Sequence, residues 1–412
     1  MTDNTKHSTP QLRFHGLTGE WEEKKLGEIF EKHNEKNDLS FGVDKIISVA
    51  NMYYKQDANV GNDDYLRTYN IFRLGDIAYE GNKSSNFAYG RFVENTIGDG
   101  IVSHVFDVYR PIISDYCIDY WKYAINYEPI MRPILEKATI KSTMMNNLIA
   151  KDFLKQSILI PPTLAEQKKI AEILSSVDDE IAAESDRLSV LKDHKKGLMQ
   201  QLFPQKGQSR PSKRFPGFSD DWEVKTLGNV FSRIRNKNSE DNKNVLTISA
   251  QYGLVSQTDF FNKSVAASDV TGYYLLEKGD FAYNKSSSSG FPVGVIKPLK
   301  LYEKGVVSTL YICFRCNEPK SIGFWEQYFN AGVLDKEIQT IAQEGARNHG
   351  LLNVPTEEFF QLKVMEPTLP EQEKIADCLS SLDDEIQAQQ QKVNALKEHK
   401  RALMQKLFPI IK

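Results

Sequence analysis

Two stretches of the chain carry apolar residues at alternating steps of three and four. In the first these are Leu174, Val177, Ile181, Leu188, Leu191, Leu198 and Leu202, with gaps in the pattern at Glu184 and Lys195. In the second they are Leu379, Leu382, Ile386, Val393, Leu396, Leu403 and Leu407, with gaps at Gln389 and Lys400. An a/d seam held over several heptads predicts a long helix in each stretch. Pro162 and Pro367 stand just ahead, Thr163 and Thr368 are candidate N-caps, and Glu166 and Glu371 follow at capping-box spacing. Each pattern stops at Phe-Pro, where proline forbids continuation. Such a helix is roughly 55 Å long at 1.5 Å per residue. Its seam needs a cover, and the second copy is the obvious one. The expectation is an antiparallel coiled coil of the two helices, set against the alternative that each folds back on its own domain.

Outside these stretches the pattern changes to that of half-buried strands. Val102–Tyr109 and Val306–Phe314 alternate as single strands would. Ile118–Asn126 and Phe324–Phe329 read as helices near the end of each region. Each region is therefore expected to be α+β.

Laying the chain on itself shows why the two halves look alike. The segment Pro162–Pro204 recurs as Pro367–Pro409, at a constant offset of 205 positions and with more than half the positions matching. Weaker echoes precede each copy. Arg13-Phe14, Trp21 and Leu26-Gly27 return as Arg214-Phe215, Trp222 and Leu227-Gly228. Gly75-Asp76, Ala78-Tyr79 and Lys83-Ser84 return as Gly279-Asp280, Ala282-Tyr283 and Lys285-Ser286, the offset falling from 204 to 202. A drifting offset means loops of different length on a shared fold. The plan is a polar tail (1–12), a first variable domain (13–161), a spacer helix (162–204), a basic linker (205–213), a second variable domain (214–366) and a second spacer helix (367–412). The fold class expected is α+β, with two domains in a pseudo-twofold arrangement separated by the helix pair.

Candidate chemistry lies in loops at matching places. Glu80–Asn86 follows a strand in the first domain, and Asn284–Gly290 does so in the second. Lys141–Asn147 and Gly345–Gly350 form a second pair, each ahead of the strand that leads into a helix. Lysine, arginine, serine, asparagine and backbone amides are the donors that phosphates need, and arginine and asparagine also read base edges. Lys83, Ser84, Ser85, Lys141, Lys285, Ser286, Arg347 and Asn348 are the candidate DNA-contacting residues. Any one such loop also reads as a solvated turn. The linker Gln205–Arg214 is basic and reads as a flexible crossover able to add nonspecific phosphate attraction, or as a plain tether.

Composition narrows the rest. With 412 residues, 40% of them hydrophobic, the chain can bury more than one core. A net charge of −3 gives no bulk signal for nucleic acid, so such contacts must be local. No apolar run approaches a membrane span, and the polar start lacks a leader's apolar core. Four scattered cysteines do not form a disulfide framework, which points to the cytoplasm. Cys313-Phe-Arg-Cys316 has metal- or redox-type spacing but no second pair, so strand thiols are expected. Asp178-Asp179-Glu180 and Asp383-Asp384-Glu385 are read as solvated or partner-facing charges. There is no Asn-Pro-Pro-aromatic run, no phosphate-binding P-loop, no His-Glu-x-x-His and no nucleophile elbow.

A chain of two divergent domains, each followed by P-x-L-x-E-Q-x-x-I-A and a long heptad helix ending in L-M-Q-x-L-F, resembles the specificity subunits of type I restriction-modification systems. The motif stands here as Pro162, Leu164, Glu166-Gln167, Ile170-Ala171 and as Pro367, Leu369, Glu371-Gln372, Ile375-Ala376. The stretch Lys141–Asn147 lacks the Gly-Ala-Arg character of Gly345–Arg347, which leaves the first domain's contacts less defined. The resemblance implies target-recognition domains that each read half of a bipartite, asymmetric site in double-stranded DNA. It implies helices that fix their separation and bind two methyltransferase subunits, with restriction subunits joining to make the nuclease. S-adenosylmethionine, ATP and Mg2+ then belong to those partners; this chain carries no cofactor, metal or catalytic residue. The competing reading is a coiled-coil adaptor whose globular domains bind proteins or glycans. A nuclease hidden in the variable domains lacks any acidic-plus-lysine constellation shared by both halves.

Overall fold

The computed structural model describes residues 9–56, 63–141, 145–205, 207–249, 252–261, 269–288, 290–342 and 350–410. The chain divides into two compact units. Unit 1 is Met1–Glu184 with Lys392–Lys412, and unit 2 is Ser185–Gln391. Each unit thus contains one variable domain, part of the helix that follows it and part of the other helix.

Both domains are built on a four-stranded antiparallel sheet. In the first its strands are β1 (Phe30–His33), β2 (Ile77–Glu80), β3 (Arg91–Glu94) and β4 (Val108–Pro111), in the spatial order β1-β4-β2-β3. In the second they are β5 (Phe231–Arg233), β6 (Phe281–Asn284), β7 (Val295–Pro298) and β8 (Ile312–Cys316), in the order β5-β8-β6-β7. The topology is the same although the sequences have diverged. One face of each sheet packs on helices, Ile118–Ala124 and Glu128–Ala138 in unit 1, Ile322–Asn330 and Asp335–Ile341 in unit 2. The main cores there are aromatic, around Phe30, Phe92, Tyr109, Trp121 and Phe153 in one and Phe231, Phe281, Phe314, Trp325 and Phe359 in the other.

The single strands expected at Val102–Tyr109 and Val306–Phe314 are each a strand, a tight turn and a second strand. In the first half the break comes at Ser103–Phe106, where the Phe106 N–H donates to the Ser103 carbonyl at 3.0 Å. In the second it comes at Ser308–Tyr311, with the same bond at 3.1 Å. Alternation persists through the turn because the residue after its tip, Phe106 or Tyr311, folds back against a small core. Cys313 and Cys316 stand on β8, and their side chains enter different cores. Burial pushes the thiols up, to about 12 and about 11 respectively.

The Gly-Asp echo is a structural turn. Asp76 accepts from the Arg73 N–H at 2.8 Å and binds the Arg110 guanidinium at 2.9 Å through both oxygens. Asp280 accepts from the Glu277 N–H at 2.7 Å and binds Arg315 at 2.6 and 2.8 Å.

The heptad stretches are helices α1 (Leu164–Leu202) and α2 (Leu369–Leu407), 39 residues each and about 58 Å long. All fourteen seam residues are buried or half-buried. In unit 1, Lys400 pairs with Asp178 and Lys392 with Glu184. In unit 2, Lys195 pairs with Asp383 and Lys192 reaches Gln390. Rising numbers on one helix meet falling numbers on the other, so in both units the helices run antiparallel. Residues at the seam's gaps supply three of these four cross-links, Glu184, Lys195 and Lys400, and the acidic groups read as solvated or partner-facing include two of their partners. Asp178 and Asp383 are partly exposed, and each pairs with a lysine of the other helix.

Each helix starts on its own domain, with Ile170, Ala171 and Leu174 in one core and Ile375 and Leu379 in the other. Its Phe-Pro end goes elsewhere. Phe408, the residue after α2, sits against Trp21, Tyr120 and Tyr127 in unit 1, ring centroids 5.5–6.5 Å apart. Phe203, the residue after α1, sits against Trp222, Phe324 and Tyr328 in unit 2, at 5.5–6.4 Å. Folding back on its own domain is therefore half of what each helix does. The capping-box carboxylates also have a different task. Glu166 is 1% exposed and holds Arg13 at 2.9 and 2.7 Å. Glu371 holds Arg214 at 2.8 and 2.6 Å. That explains the Arg-Phe echo ahead of each domain. The linker is not a free crossover among its described residues: the Lys213 N–H donates to the Gln201 carbonyl at 2.9 Å and Arg210 pairs with Asp221.

Candidate nucleic-acid interface

The two loop classes singled out in the sequence meet at one end of each sheet. In unit 1 the loop from β2 to β3 runs from Gly81 to Gly90. Its Gly81 carbonyl accepts the Asn146 N–H at 2.9 Å, and Asn82 bridges to Met145. The buried Asn146 amide then donates to the Ala88 carbonyl at 3.0 Å. In unit 2 the Lys285 carbonyl accepts the Leu352 N–H at 2.9 Å, the Ser287 N–H donates to the Gly350 carbonyl at 2.8 Å, and Ser286 bridges to Leu351. The described residues at the end of each second loop, Met145-Asn146 and Gly350–Leu352, are thus stitched along the first.

A tyrosine fixes the far side of each loop. The Tyr79 hydroxyl donates to the Tyr89 carbonyl at 2.7 Å, and the Tyr283 hydroxyl donates to the Val293 carbonyl at 2.6 Å. Burial raises both phenols, so they remain donors. Next come Gly90 and Gly294, at φ +79° and +85°. A Cβ there would lie 2.5 Å from the Glu80 carbonyl oxygen or 2.1 Å from that of Asn284, so the close return of the loop requires glycine at both. The Ala-Tyr echo in the sequence is the visible trace of this scaffold.

The strands also correct one correspondence. Asn82 and Ser286 make the same bridge, and Gly81 and Lys285 accept the same kind of bond, so the structural offset stays at 204. The Lys-Ser match at 202 is a likeness of sequence, not of place. Lys285 stands where the first domain has Gly81 and is half-buried, with desolvation lowering its pKa. Lys83, Ser84 and Ser85 are exposed on the loop itself. Ser84 closes a small turn by accepting the Phe87 N–H on its hydroxyl at 3.1 Å. Ser286 is half-buried, its N–H held by the Asn284 side chain at 3.1 Å. Lys141 is exposed and its ammonium sits 5.1 Å from the centre of the Tyr89 ring, beside the same loop. Arg347 and Asn348 lie outside the described residues, as do 142–144.

Arg91 is a loop-positioning residue that sequence reasoning passed over. Its guanidinium binds Glu80 at 2.7 Å, donates to the Ala50 carbonyl at 2.8 Å and lies over the Phe87 ring at 5.4 Å. It has no counterpart in the second domain, where Val295 takes its place on the strand, so the repeat carries no signal for it. The result in each unit is a rigid sheet end that presents a short polar loop. The described residues contain no group of three or more histidine, cysteine, aspartate or glutamate side chains able to hold a metal. Among them, too, no helix is long and apolar enough to cross a membrane.

Comparison with known proteins fits this geometry. The family model described as the type I restriction modification DNA specificity domain matches twice, over residues 18–193 and 219–398. The type I restriction enzyme MjaVIII specificity subunit of Methanocaldococcus jannaschii is 27% identical over 293 residues, which cover 66% of this chain and 66% of that protein. The chain thus spans just under two thirds of that relative's length. Among solved structures, the S subunit of a type I restriction-modification system from M. genitalium superposes with a TM-score of 0.57 at 14% identity, covering 98% of this chain and 100% of that one. A chain from a structure of the assembly and conformational transition of a type I restriction-modification system gives 0.54 at 14%, covering 96% and 99%. At that identity the likeness is one of fold.

Proposed function

The chain belongs to the type I restriction-modification DNA specificity family, and from that membership we propose that it is the non-catalytic subunit that selects the target for a methyltransferase–endonuclease complex. Residues 13–161 and 214–366 are its target-recognition domains, each reading one half of a bipartite site in double-stranded DNA. The observation that carries this reading is the sheet-end loop, built twice on the same tyrosine-glycine scaffold but with different side chains. One scaffold with two sets of contacts suits two unlike half-sites. Lys83, Ser84, Ser85 and Lys141 are assigned to the first half-site, and Lys285, Ser286, Arg347 and Asn348 to the second.

The helices support a second part of the proposal. Lys169, Asp179, Glu180, Lys192, His194 and Gln200 of α1 are exposed, and the residues 205 positions later in α2 are identical and exposed as well. Packing demands no identity at exposed positions. A surface needed twice by the same partner does, and two methyltransferase subunits are the partners assigned to it. Those subunits carry the S-adenosylmethionine chemistry, and restriction subunits carry the ATP- and Mg2+-dependent steps.

Selection from random duplexes with the assembled complex tests this reading. The expected target is two unlike half-sites separated by an unspecified spacer of fixed length. A palindromic or contiguous target overturns the proposal. Adding one matched heptad to both helices, about 10.5 Å of rise, is expected to alter the spacer while the half-site sequences stay the same.

A further inference from the structure

Beside each polar loop the same sheet end carries a second, apolar feature. Gly100–Val102 reaches β4 through the turn Ser103-His104-Val105-Phe106, and Lys304–Val307 reaches β8 through Ser308-Thr309-Leu310-Tyr311. The start of β4 lies against the end of β2, where the Tyr79 N–H donates to the Asp107 carbonyl at 3.0 Å. The start of β8 lies against the end of β6 in the register Tyr283–Ile312. Each turn therefore emerges where its polar loop begins. The aromatic residue of the turn packs inward on a small core. The aliphatic residue before it is left outside, Val105 at 56% exposure and Leu310 at 57%.

A single exposed aliphatic side chain is ordinary. The same position exposed in both domains, on turns closed by the same backbone bond, is not required by the fold. Turn tips favour small polar residues, which cost nothing in water. Along the chain each tip is flanked by serine, histidine or threonine, and beyond it the first turn has only the Tyr65 ring set edge-on to His104 at 6.5 Å, far too small an apolar area to dock a protein. It is the right size for one methyl group. In the major groove thymine alone presents such a group, at C5, beside the donors and acceptors that the polar loop would read.

We propose that Val105 and Leu310 are specificity-determining residues, each making an apolar contact with the C5-methyl of a thymine in its own half-site. This rests on the DNA-recognition reading above. The test uses the assembled complex and a duplex carrying its selected target, with deoxyuridine replacing each thymidine in turn. One position in each half-site is expected to weaken binding about fourfold, the effect of losing one buried methyl contact. Val105→Ala is expected to abolish that sensitivity in one half-site and Leu310→Ala in the other. Half-sites without thymine overturn the inference, as do uracil effects that persist unchanged in both variants. Loss of methyltransferase from the complex in either variant, with DNA preference intact, also overturns it and marks the tips as protein contacts. In all of these cases specific binding survives, and with it the DNA reading. Failure to select any duplex removes both.

Discussion

Lys400 reaches Asp178 across the helix pair, Nζ to Oδ1 at 2.6 Å, while the Tyr123 hydroxyl donates to the other oxygen of that carboxylate at 2.8 Å. The pair recurs 205 positions on with the helices exchanged: Lys195 lies 2.6 Å from Asp383, whose second oxygen accepts from Gln327 at 2.8 Å. A lysine in an apolar seam is unfavourable unless it meets this one acceptor, so the pair penalises helices that slip by a turn. Lys400→Glu sets two carboxylates against each other and is expected to destabilise unit 1 by about 1 kcal/mol, as for a half-exposed pair. Adding Asp178→Lys restores an opposite-charge pair and most of the stability. A double-mutant cycle by chemical denaturation checks this; a double variant no better than the single one speaks against a register role.

The Phe-Pro ends act as plugs. Phe203 and Phe408 are each 1% exposed among aromatic rings. Truncating a buried phenylalanine costs about 3–5 kcal/mol. Phe408→Ala is therefore expected to loosen unit 1, and Phe203→Ala unit 2, as seen in hydrogen exchange of Trp21 and Tyr120 or of Trp222 and Phe324. Equal loss of protection in both units from either variant counts against independent plugs.

Much of this was legible in the chain because a heptad seam and an internal repeat are both local patterns. The gaps at Glu184, Lys195, Gln389 and Lys400 were visible only as gaps. Their partners lie 188–222 residues away in the pairs observed, and no periodicity names them. The turns at Ser103 and Ser308 were hidden because the inward-folded aromatic kept the alternation going. Glu166 and Glu371 stood at capping-box spacing, but an arginine about 155 residues upstream competes for each carboxylate more strongly than a backbone amide does. The misplaced equivalence of Lys83 and Lys285 has a similar cause. Strand register decides place, and a two-residue Lys-Ser match does not contain it.

Glu94 on β3 gives unit 1 a pH dependence with no counterpart at the matching position of unit 2. It is 3% exposed, accepts the Tyr116 hydroxyl at 2.5 Å, and burial pushes its pKa up to about 9, with Asp119 adding to the rise and Lys122 opposing it. The carboxyl is therefore neutral in the fold at pH 7, whereas in the unfolded chain it is ionised above its ordinary value of 4.5. Between those values the folded state holds the extra proton, so stability falls as pH rises and levels off above about 9. Glu94→Gln keeps a neutral group of the same shape, and is expected to remove this slope and stabilise unit 1 at pH 8. The matching position in unit 2 is Pro298, so Glu94→Gln should leave the pH dependence of that unit, where burial raises Asp335, unchanged. Urea denaturation at pH 5, 7 and 9 reads the effect, and an unchanged slope in the variant assigns it to other groups.

The two loop lysines are expected to differ in what they contribute to DNA binding. Lys83 is exposed at the loop tip, a placement suited to a phosphate. Its replacement by alanine should weaken binding to all duplexes alike and reduce the salt slope by about 1. Lys285 is half-buried at the base of its loop, its pKa lowered by desolvation, and its main chain is committed to Leu352. Its ammonium can reach only what lies close to the sheet end, so Lys285→Ala should act more on sequence preference than on the salt slope. Titrations of specific and unrelated duplexes between about 50 and 200 mM salt separate the two effects. Equal salt slopes for Lys83→Ala and the parent chain would remove Lys83 from the phosphate contacts.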